Sequence, residues 1–553
     1  MEVGLSPDIP TYSGGLGMLA GDTLRAAADI GFPMVGVTLL HRKGYFRQSL
    51  DAGGNQTESF REWSPEEVLE EIPGAVTVLI QGRPVQVRAW LYSVKGLNNQ
   101  IVPVYLLDTD LPENTPEDRR ITDNLYGGDA SYRLAQEIVL GVGGVSMLRA
   151  AGHRRFGAYH MNEGHSSLLA LALLDETGEG PLAGAPVSER IDLVRQQCVF
   201  TTHTPIPAGH DAFPLDMARG MLPDRLARYL DDVECCLDGT LNLTYLALFF
   251  SHYINGVSLR HGTISQDMFP SYPINGVTNG VHAETWTSKP IQDLLDRHLP
   301  EWRYDNRYLR YAVGVSLEEI QNAHVLSKEL LIEEVRRRTG RELSRSALTL
   351  GFARRATPYK RSGLLLSDLE RLRHIARKVG PLQILYAGKA HPRDEAGKDL
   401  IRQVFRAAES LGGDVPVIYL EEYDMTLGRF LCSGVDLWIN TPQKPQEASG
   451  TSGMKAAVNG VPSLSVLDGW WLEGHVEGVT GWSIGDTWEQ ESVPREEAES
   501  LYDKLEYLIA PMFYDRPLEY ARVMRSAIAL NGSFFNAQRM LSQYVRNAYR
   551  SGK

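Results

Sequence analysis

The chain of 553 residues is longer than a single hydrophobic core usually supports, so we expect two large domains. Hydrophobic residues make up 43% of the sequence and charged residues 23%, as in ordinary globular enzymes, so disorder is not expected. The formal net charge of -13 argues against a protein that binds nucleic acid or anionic membrane, because those partners need a basic surface.

The cysteines and the apolar runs indicate the compartment. The four cysteines show no CxxC spacing and two of them are adjacent, which is typical of neither a disulfide framework nor a zinc ribbon. No apolar run approaches the roughly 20 residues that span a bilayer, and the N-terminus has no basic-then-apolar leader. The sequence therefore predicts a cytoplasmic protein without a membrane partner.

The first elements along the chain alternate as in an α/β protein. A Gly-rich turn at residues 13–17 leads into a predicted helix at residues 19–30 and a predicted strand at residues 34–40. The strand that should precede such a turn is absent, so we expect that the chain starts inside a domain. Two later strands and the helix between them are predicted at residues 159–162, 198–202 and 166–174.

The second half of the chain repeats strand, loop and helix. A Trp- and charge-rich helical region follows residue 285, and we place the domain boundary there, giving domains 1–284 and 285–553. Short apolar strands are predicted at residues 347–352, 383–387, 415–420, 435–440 and 463–467. Such a repeat is the signature of a parallel doubly wound sheet. We therefore expect an α/β fold of two Rossmann-like domains that face a cleft, with the site between their strand ends.

The most informative segment is residues 447–455, Glu-Ala-Ser-Gly-Thr-Ser-Gly-Met-Lys, which lies between a predicted strand and a helix that begins near Ser452. Small residues there leave backbone N–H groups open at a helix N-terminus, where a phosphate can bind. Lys455, one turn into the helix, would lie beside a bound phosphate ester, and a Schiff base needs such a lysine. A Gly/Ser loop with a solvated lysine is the alternative.

A second segment, residues 354–361, holds four cations directly after a predicted strand: Arg354, Arg355, Lys360 and Arg361. Their mutual repulsion is costly unless an anion compensates it. The cluster therefore predicts an anion site, and a solvated basic helix start is the alternative.

These segments resemble the glycogen and maltodextrin phosphorylases, whose motifs occur in the same order along nearly the whole chain. The family's cofactor motif is E-A-S-G-T-G-N-M-K, and its last residue, which bears pyridoxal phosphate, corresponds to Lys455; Ser452 and Gly453 depart from it. The family's pattern K-R-I-H-E-Y-K-R corresponds to residues 354–361. The resemblance implies the B-type glycosyltransferase architecture and pyridoxal 5'-phosphate as the cofactor.

The resemblance also assigns roles to single residues. It implies that Arg355 and Lys360 bind the attacking inorganic phosphate and that His203 contacts the sugar 6-hydroxyl near the scissile bond. The residues that it places at the cofactor are Lys455, Thr451, Ser452, Arg354 and Tyr423. The residues that it places at the substrate are Gly15, Leu16, His165, Asn279, Tyr359, Glu447, Ser449 and Gly450.

One position departs from the family pattern in charge. Asp424 stands where many family members carry an arginine on the cofactor phosphate, which reverses the charge there.

A lone histidine is more often structural than catalytic, and the spacing of His160, His165, His203 and His210 matches no compact zinc pattern, so no metal is expected. The regulatory extension of long family members has no counterpart before the Gly-rich turn, so we expect no such allosteric control.

The function implied by the resemblance is retaining phosphorolysis of an α-1,4-glucan, in which inorganic phosphate releases the terminal glucose as glucose 1-phosphate. A homodimer is expected from the family alone. Two alternatives stay open: a nucleotide-sugar glucosyltransferase of the glycogen or starch synthase type, and an inactive carbohydrate-binding relic.

Overall fold

The structure is a computed structural model, and it describes residues 1–179, 184–206, 209–487 and 493–549. The strands are β1 Gly36–Leu39, β2 Arg47–Leu50, β3 Gln56–Ser59, β4 Glu70–Ile80, β5 Arg83–Lys95, β6 Ile101–Asp108, β7 Tyr159–Asn162, β8 Cys198–Thr201, β9 Ala212–Pro214, β10 Cys236–Leu237, β11 Thr240–Asn242, β12 Tyr253–Gly256, β13 Ile274–Gly276, β14 Leu348–Ala353, β15 Leu382–Ala387, β16 Val417–Leu420, β17 Leu437–Asn440, β18 Ser463–Val466 and β19 Gly481–Ile484.

The α-helices connect these strands and cover the sheets. They are α1 Gly15–Asp29, α2 Ala130–Ile138, α3 Gly144–Ala150, α4 Leu169–Glu176, α5 Val187–Arg195, α6 Leu215–Met221, α7 Asp224–Ala227, α8 Leu243–Phe249, α9 Leu259–Met268, α10 Ala283–Trp286, α11 Lys289–His298, α12 Leu317–Thr339, α13 Leu369–Lys378, α14 Glu395–Leu411, α15 Met425–Gly434, α16 Thr451–Ala457, α17 Trp471–Gly474, α18 Pro494–Lys504, α19 Ala510–Asp515, α20 Pro517–Ser526 and α21 Ala537–Asn547. None of the described helices is both long and apolar enough to cross a bilayer.

The chain forms two compact units. The N-terminal unit comprises Met1–Phe46, Phe60–Thr278 and Met540–Lys553, and the C-terminal unit comprises Arg47–Ser59 and Asn279–Arg539. The main division lies between Thr278 and Asn279, and two short segments, Arg47–Ser59 and Met540–Lys553, belong to the other unit. Hydrogen bonds hold the first of these segments, Arg47–Ser59, in the C-terminal unit. The side-chain amides of Gln48 and Gln56 donate to the carbonyl oxygens of Gly388 and Ala390 at 2.9 and 2.8 Å. Such long-range bonds leave no periodic pattern in the local sequence.

The N-terminal unit contains two four-stranded sheets. One has the order β1-β6-β5-β4, with β1 parallel to β6 and the other pairs antiparallel, and the other sheet is parallel with the order β13-β12-β8-β7. In the parallel sheet Asn162 pairs with Thr201, so the segments that follow β7 and β8 leave the same edge. Strands β4 and β5 were not predicted, and their side chains are largely half-buried or exposed.

The C-terminal unit contains one parallel sheet of six strands in the order β16-β15-β14-β17-β18-β19. This is the doubly wound order 3-2-1-4-5-6, which confirms the predicted α/β class. Every residue of β14, β15, β17 and β18 is buried, which explains why the sequence shows them as short apolar runs. The order reverses between β14 and β17, and ligands of such sheets bind at that point.

Candidate active site

The switch point of the six-stranded sheet holds a buried carboxylate between two buried cations. Glu447 is 6% exposed, and its Oε2 accepts a hydrogen bond from Lys360 Nζ at 2.6 Å and another from the Arg354 guanidinium. Burial alone would raise the pKa of Glu447, but the charges of Arg354 and Lys360 outweigh it and lower the pKa to about 2. Glu447 is therefore ionised at neutral pH, and the cluster carries a net charge of one positive unit.

Arg354 is held at the strand ends by a second partner. Its guanidinium also donates to Asn440 Oδ1, at the last residue of β17, and Asn440 Nδ2 donates to Ser465 Oγ in β18 at 3.0 Å. The hydrogen bonds from Arg354 to Asn440 and from Asn440 to Ser465 thus link the end of β14 to β17 and β18. A charge-assisted network of this kind is rigid, because each member is satisfied by the next.

Arg355, the next residue, lies on the other side of the chain. The N–H groups of Arg354 and Ala356 donate to the carbonyl oxygens of Ala387 and Lys389, both at 3.0 Å, so the extended backbone continues beyond β14. Side chains alternate along extended backbone. Arg355 is accordingly exposed and forms no ion pair with any residue that the structure describes.

The loops that follow β14 and β17 are joined to each other. Gln443 N–H donates to Tyr359 O at 2.7 Å, and the Thr441 hydroxyl lies 3.0 Å from the carbonyl oxygens of both Lys360 and Arg361. Lys360 Nζ also lies 4.4 Å from the centre of the Tyr359 ring. Lys360, Tyr359 and Glu447 are thus brought together at one place.

Lys455 does not project into solvent. It lies in α16, it is 7% exposed, and its Nζ is 3.5 Å from the centre of the Trp286 ring. The amide of Asn459 donates to the carbonyl oxygens of both Lys455 and Trp286 at 2.8 Å, which fixes the two residues together. Gly428 of α15 packs beside them, since a Cβ there would lie 3.7 Å from the Trp286 ring and 3.3 Å from the Tyr423 hydroxyl.

Contacts at the start of α16 explain why Gly453 departs from the family motif. Gly450 precedes the helix with φ +85°, which favours glycine, and Ser452 Oγ accepts a hydrogen bond from Trp438 Nε1 at 3.3 Å. A Cβ on Gly453 would lie 2.7 Å from the Trp470 ring, so residue 453 must be small. Thr451 and Ser452 are half-buried in the first turn of the helix.

Asp424, the charge-reversed position, caps a helix. Its Oδ1 accepts a hydrogen bond from Leu427 N–H at 2.7 Å at the start of α15. Aspartate is favoured at this position because it satisfies an N–H group that has no partner inside the helix. The structure therefore gives Asp424 a local role, which the sequence alone did not reveal.

Two residues predicted to bind sugar have unsatisfied polar atoms. Asn279 Oδ1 and Ser449 Oγ are buried, and neither has a hydrogen-bond partner among the described residues. Buried polar atoms are normally satisfied, because an unpaired one costs roughly 1–3 kcal/mol. Both atoms belong to the C-terminal unit and suit a ligand that is rich in hydroxyl groups.

The N-terminal unit places His203 beside Asn162 and Glu163. His203 N–H donates to Glu163 Oε2 at 2.7 Å, and His203 Nε2 lies 2.7 Å from Asn162 Oδ1. Burial lowers the pKa of His203 to about 3, so the ring is neutral. Since an amide oxygen only accepts, Nε2 carries the hydrogen and Nδ1 is left as an acceptor.

Glu163 is a residue that sequence reasoning missed. Its φ of +71° is unusual for a residue other than glycine, and its Oε2 also accepts from the Thr204 hydroxyl at 3.0 Å. Strained backbone of this kind clusters at functional sites. The available signal was its place between Asn162 and Gly164, directly after a buried strand.

His165 lies in a separate buried cluster of charged groups. Its Nδ1 is 3.0 Å from Asp211 and 3.6 Å from Glu137, and the Arg133 guanidinium is 2.7 Å from the same Asp211 carboxylate. Burial would lower the pKa of His165, but hydrogen bonds to Asp211 and Glu137 raise it. Burial raises the pKa of Glu137 to about 7.

This cluster has the ligand types of a metal site. One ligand atom from each of Glu137, His165 and Asp211 lies within 4.8 Å of the others, but Arg133 already supplies a cation to both carboxylates. Two of the other histidines considered in the sequence have different partners, His160 with the Tyr549 hydroxyl and His210 with the Thr244 hydroxyl. The four histidines therefore do not converge on one centre.

The Gly-rich turn before α1 holds a carboxylate of the chain itself. Glu2 Oε2 accepts from the N–H groups of Ser13 and Gly14 at 2.7 and 3.3 Å, and Tyr126 donates to Glu2 Oε1 at 2.8 Å. Gly15 is exposed, with no heavy atom within 4 Å of a Cβ placed there, and Leu16 is half-buried. Sequence reasoning placed an anion at this turn but missed Glu2.

Comparison with known proteins supports one family. Residues 228–478 match the family model described as carbohydrate phosphorylase. The chain is 38% identical to maltodextrin phosphorylase of Thermococcus litoralis and 37% identical to glycogen phosphorylase of Mycobacterium tuberculosis, each over 99% of this chain and 70% of the relative. It is 35% identical to glycogen phosphorylase of Aquifex aeolicus over 99% of this chain and 85% of the relative. The chain therefore belongs to the carbohydrate phosphorylase family.

Proposed function

We propose that this chain catalyses the phosphorolysis of α-1,4-glucans, in which inorganic phosphate releases the terminal glucose as glucose 1-phosphate with retained configuration. One observation carries the proposal. The buried amine of Lys455 lies on a helix that directly follows the loop in which Glu447 joins Arg354 and Lys360. A buried lysine and a buried cationic cluster suit an enzyme that uses pyridoxal phosphate and a phosphate substrate.

The residues around Lys455 fit pyridoxal phosphate. Lys455 would attach it, and the rings of Trp286 and Tyr423 offer flat surfaces that suit an aromatic cofactor. Thr451 and Ser452 would contribute backbone N–H groups to its phosphate. When bound, the cofactor supplies an ionisable phosphate group that can exchange a proton with the substrate phosphate.

Arg355 and Lys360 would hold the attacking phosphate, and Arg354 would lie near the cofactor phosphate. Arg354 and Lys360 carry two positive charges against the one negative charge of Glu447, and Arg355 adds a further positive charge. The resulting excess of two charges matches a phosphate dianion. Because Glu447 fixes Arg354 and Lys360 before the substrate arrives, they would stabilise the charges of the two phosphates without reorganisation.

Sugar recognition would use the atoms that the chain leaves unsatisfied. Asn279 Oδ1, Ser449 Oγ and the backbone of Gly450 would bind glucose hydroxyl groups, together with Glu447 and Tyr359. In the N-terminal unit, the neutral His203 would accept a hydroxyl hydrogen at Nδ1. The roles of Gly15, Leu16 and His165 at the substrate remain part of the same proposal.

The attacking phosphate would protonate the glycosidic oxygen and then bond to the anomeric carbon on the same face, so the configuration is retained. No pair of carboxylates is then needed at the scissile bond, in contrast to the usual glycosidases. A homodimer in the cytoplasm is the setting that we propose, and the four free cysteines agree with a reducing compartment.

The test combines a cofactor measurement with a product measurement. Purified protein should absorb in the near ultraviolet, and borohydride should fix the cofactor onto Lys455, where peptide mass analysis locates it. Maltodextrin and phosphate should then yield glucose 1-phosphate. Lys455→Ala should lose both properties, whereas the exposed control Lys378→Ala should keep both.

Other outcomes would favour the alternatives. Glucan extension from a nucleotide sugar, without a cofactor band, would indicate a glucosyltransferase instead. Glucan binding without any turnover, in protein that carries the cofactor, would indicate an inactive relic. Glucose 1-phosphate release by Lys455→Ala would refute the proposal.

A further inference from the structure

The turn after β18 contains a buried carboxylate that the proposed reaction does not use. Asp468 is 2% exposed and lies two residues after β18. Its Oδ2 accepts a hydrogen bond from Glu447 N–H and its Oδ1 accepts one from Gly469 N–H, both at 2.9 Å. It forms no ion pair within the described part of the chain. The hydrogen bonds of Asp468 thus go to backbone N–H groups.

The same turn touches the loop of Glu447 at a second point. Trp470 N–H donates to Ser449 O at 2.9 Å, so two hydrogen bonds join the segments on either side of Gly469. Gly469 has φ +55°, and a Cβ there would lie 2.5 Å from Ser449 O and 3.0 Å from Glu447 Cγ. The two segments can approach this closely only because residue 469 is glycine.

Glu447 is consequently held from two directions. Arg354 and Lys360 fix its carboxylate, and Asp468 fixes its backbone N–H. We propose that Asp468 is a positioning residue, which holds Glu447 and Ser449 in the geometry that binds the glucose unit. The inference rests on the proposed function, because it concerns the sugar side of that site.

The chemistry of the two hydrogen bonds explains why an acid stands at this position. Both partners of Asp468 are N–H donors, so both of its side-chain oxygens must accept. An asparagine would turn an NH₂ group toward one of them and set two donors against each other. Burial, and the charge of Glu447, raise the pKa of Asp468 to about 7, so the chain keeps an acid at a position that disfavours its charge.

The test compares Asp468→Asn with the wild-type holoenzyme. The measurements are KM for maltodextrin, KM for phosphate, the cofactor absorbance and the Kd for glucose by calorimetry. Loss of one buried hydrogen bond should raise both the glucose Kd and the maltodextrin KM about 10-fold. The phosphate KM should stay within about 2-fold, since no hydrogen bond or ion pair joins Asp468 to Arg355 or Lys360 in the described part of the chain, and the cofactor absorbance should not change.

Two further variants complete the design. Asp468→Glu restores two acceptor oxygens and should recover part of the glucose affinity, whereas the exposed control Asp503→Asn should match wild type. If Asp468→Asn does not fold, Gly469→Ala tests the same contact from the neighbouring residue, and it should also weaken glucose binding.

Unchanged glucose affinity in Asp468→Asn, or in Gly469→Ala where that variant replaces it, would overturn the inference. An equal loss of phosphate affinity and of cofactor would also overturn it, because that pattern indicates a general structural role. Absence of phosphorolysis by the wild type would reject the proposed function instead, and the glucose titration would still decide the role of Asp468 in binding sugar.

Discussion

Replacing Glu447 by glutamine removes one charge from the buried cluster and leaves its shape nearly unchanged. Arg354 and Lys360 are 9% and 7% exposed, so the variant leaves two cations in the protein interior without their carboxylate. Removing one partner of a buried ion pair typically costs about 3–5 kcal/mol. We therefore expect Glu447→Gln to destabilise the C-terminal unit at neutral pH.

The pKa of Glu447 gives an independent magnitude. It lies at about 2, against the ordinary value of 4.5. Since one pKa unit corresponds to about 1.4 kcal/mol, the ionised carboxylate contributes about 3 kcal/mol at neutral pH. The folded-state pKa is lowered, so this contribution is present above pH 4.5 and is lost as the pH falls toward 2. About half of it should remain near pH 3.

Tryptophan fluorescence is a suitable assay, because six of the eight tryptophans that the structure describes lie in the C-terminal unit, and the other two are Trp63 and Trp90. Guanidinium unfolding of wild type and Glu447→Gln should differ by about 3 kcal/mol at pH 7 and by about half of that at pH 3. The control Glu499→Gln changes an exposed carboxylate and should stay within about 0.5 kcal/mol of wild type.

Two results would refute this reasoning. A difference below about 1 kcal/mol at pH 7 would mean that the ion pairs do not stabilise the fold. A difference that does not change between pH 7 and pH 3 would mean that the effect of the substitution is one of packing and not of charge.

Three further predictions concern the proposed site. Arg355→Ala should raise the KM for phosphate at least about 10-fold. Because the Arg355 side chain is exposed, the free energy of unfolding should change by less than about 0.5 kcal/mol, and a large loss of stability would contradict this. Asn279→Ala should weaken glucose binding, measured by calorimetry, about 10-fold without a matching loss of stability, because its Oδ1 has no partner among the described residues. The pKa of His203 lies at about 3, so the ring should show no titration between pH 5 and 8 when it is followed by NMR, and a transition in that range would show that it is less buried.

The sequence predicted the parts of the site that depend on local order. Strands β14, β15, β17 and β18 were visible as apolar runs because both faces of a parallel sheet are buried. Lys455 and the cations of residues 354–361 followed from their places after two of those strands. Strands that meet at a topological switch point bring such segments together, and the structure shows Lys360 joined to Glu447 in this way.

Tertiary structure decided which groups pair. The sequence placed Arg354 and Arg355 in one anion site, but only the fold shows that Arg354 turns inward to Glu447 while Arg355 is exposed. Glu2 and Asp468 are ordinary carboxylates in the sequence, and each becomes an acceptor for backbone N–H groups in the fold. Hydrogen-bond partners far apart along the chain leave no periodic signal, because periodicity reports only which face of an element is buried.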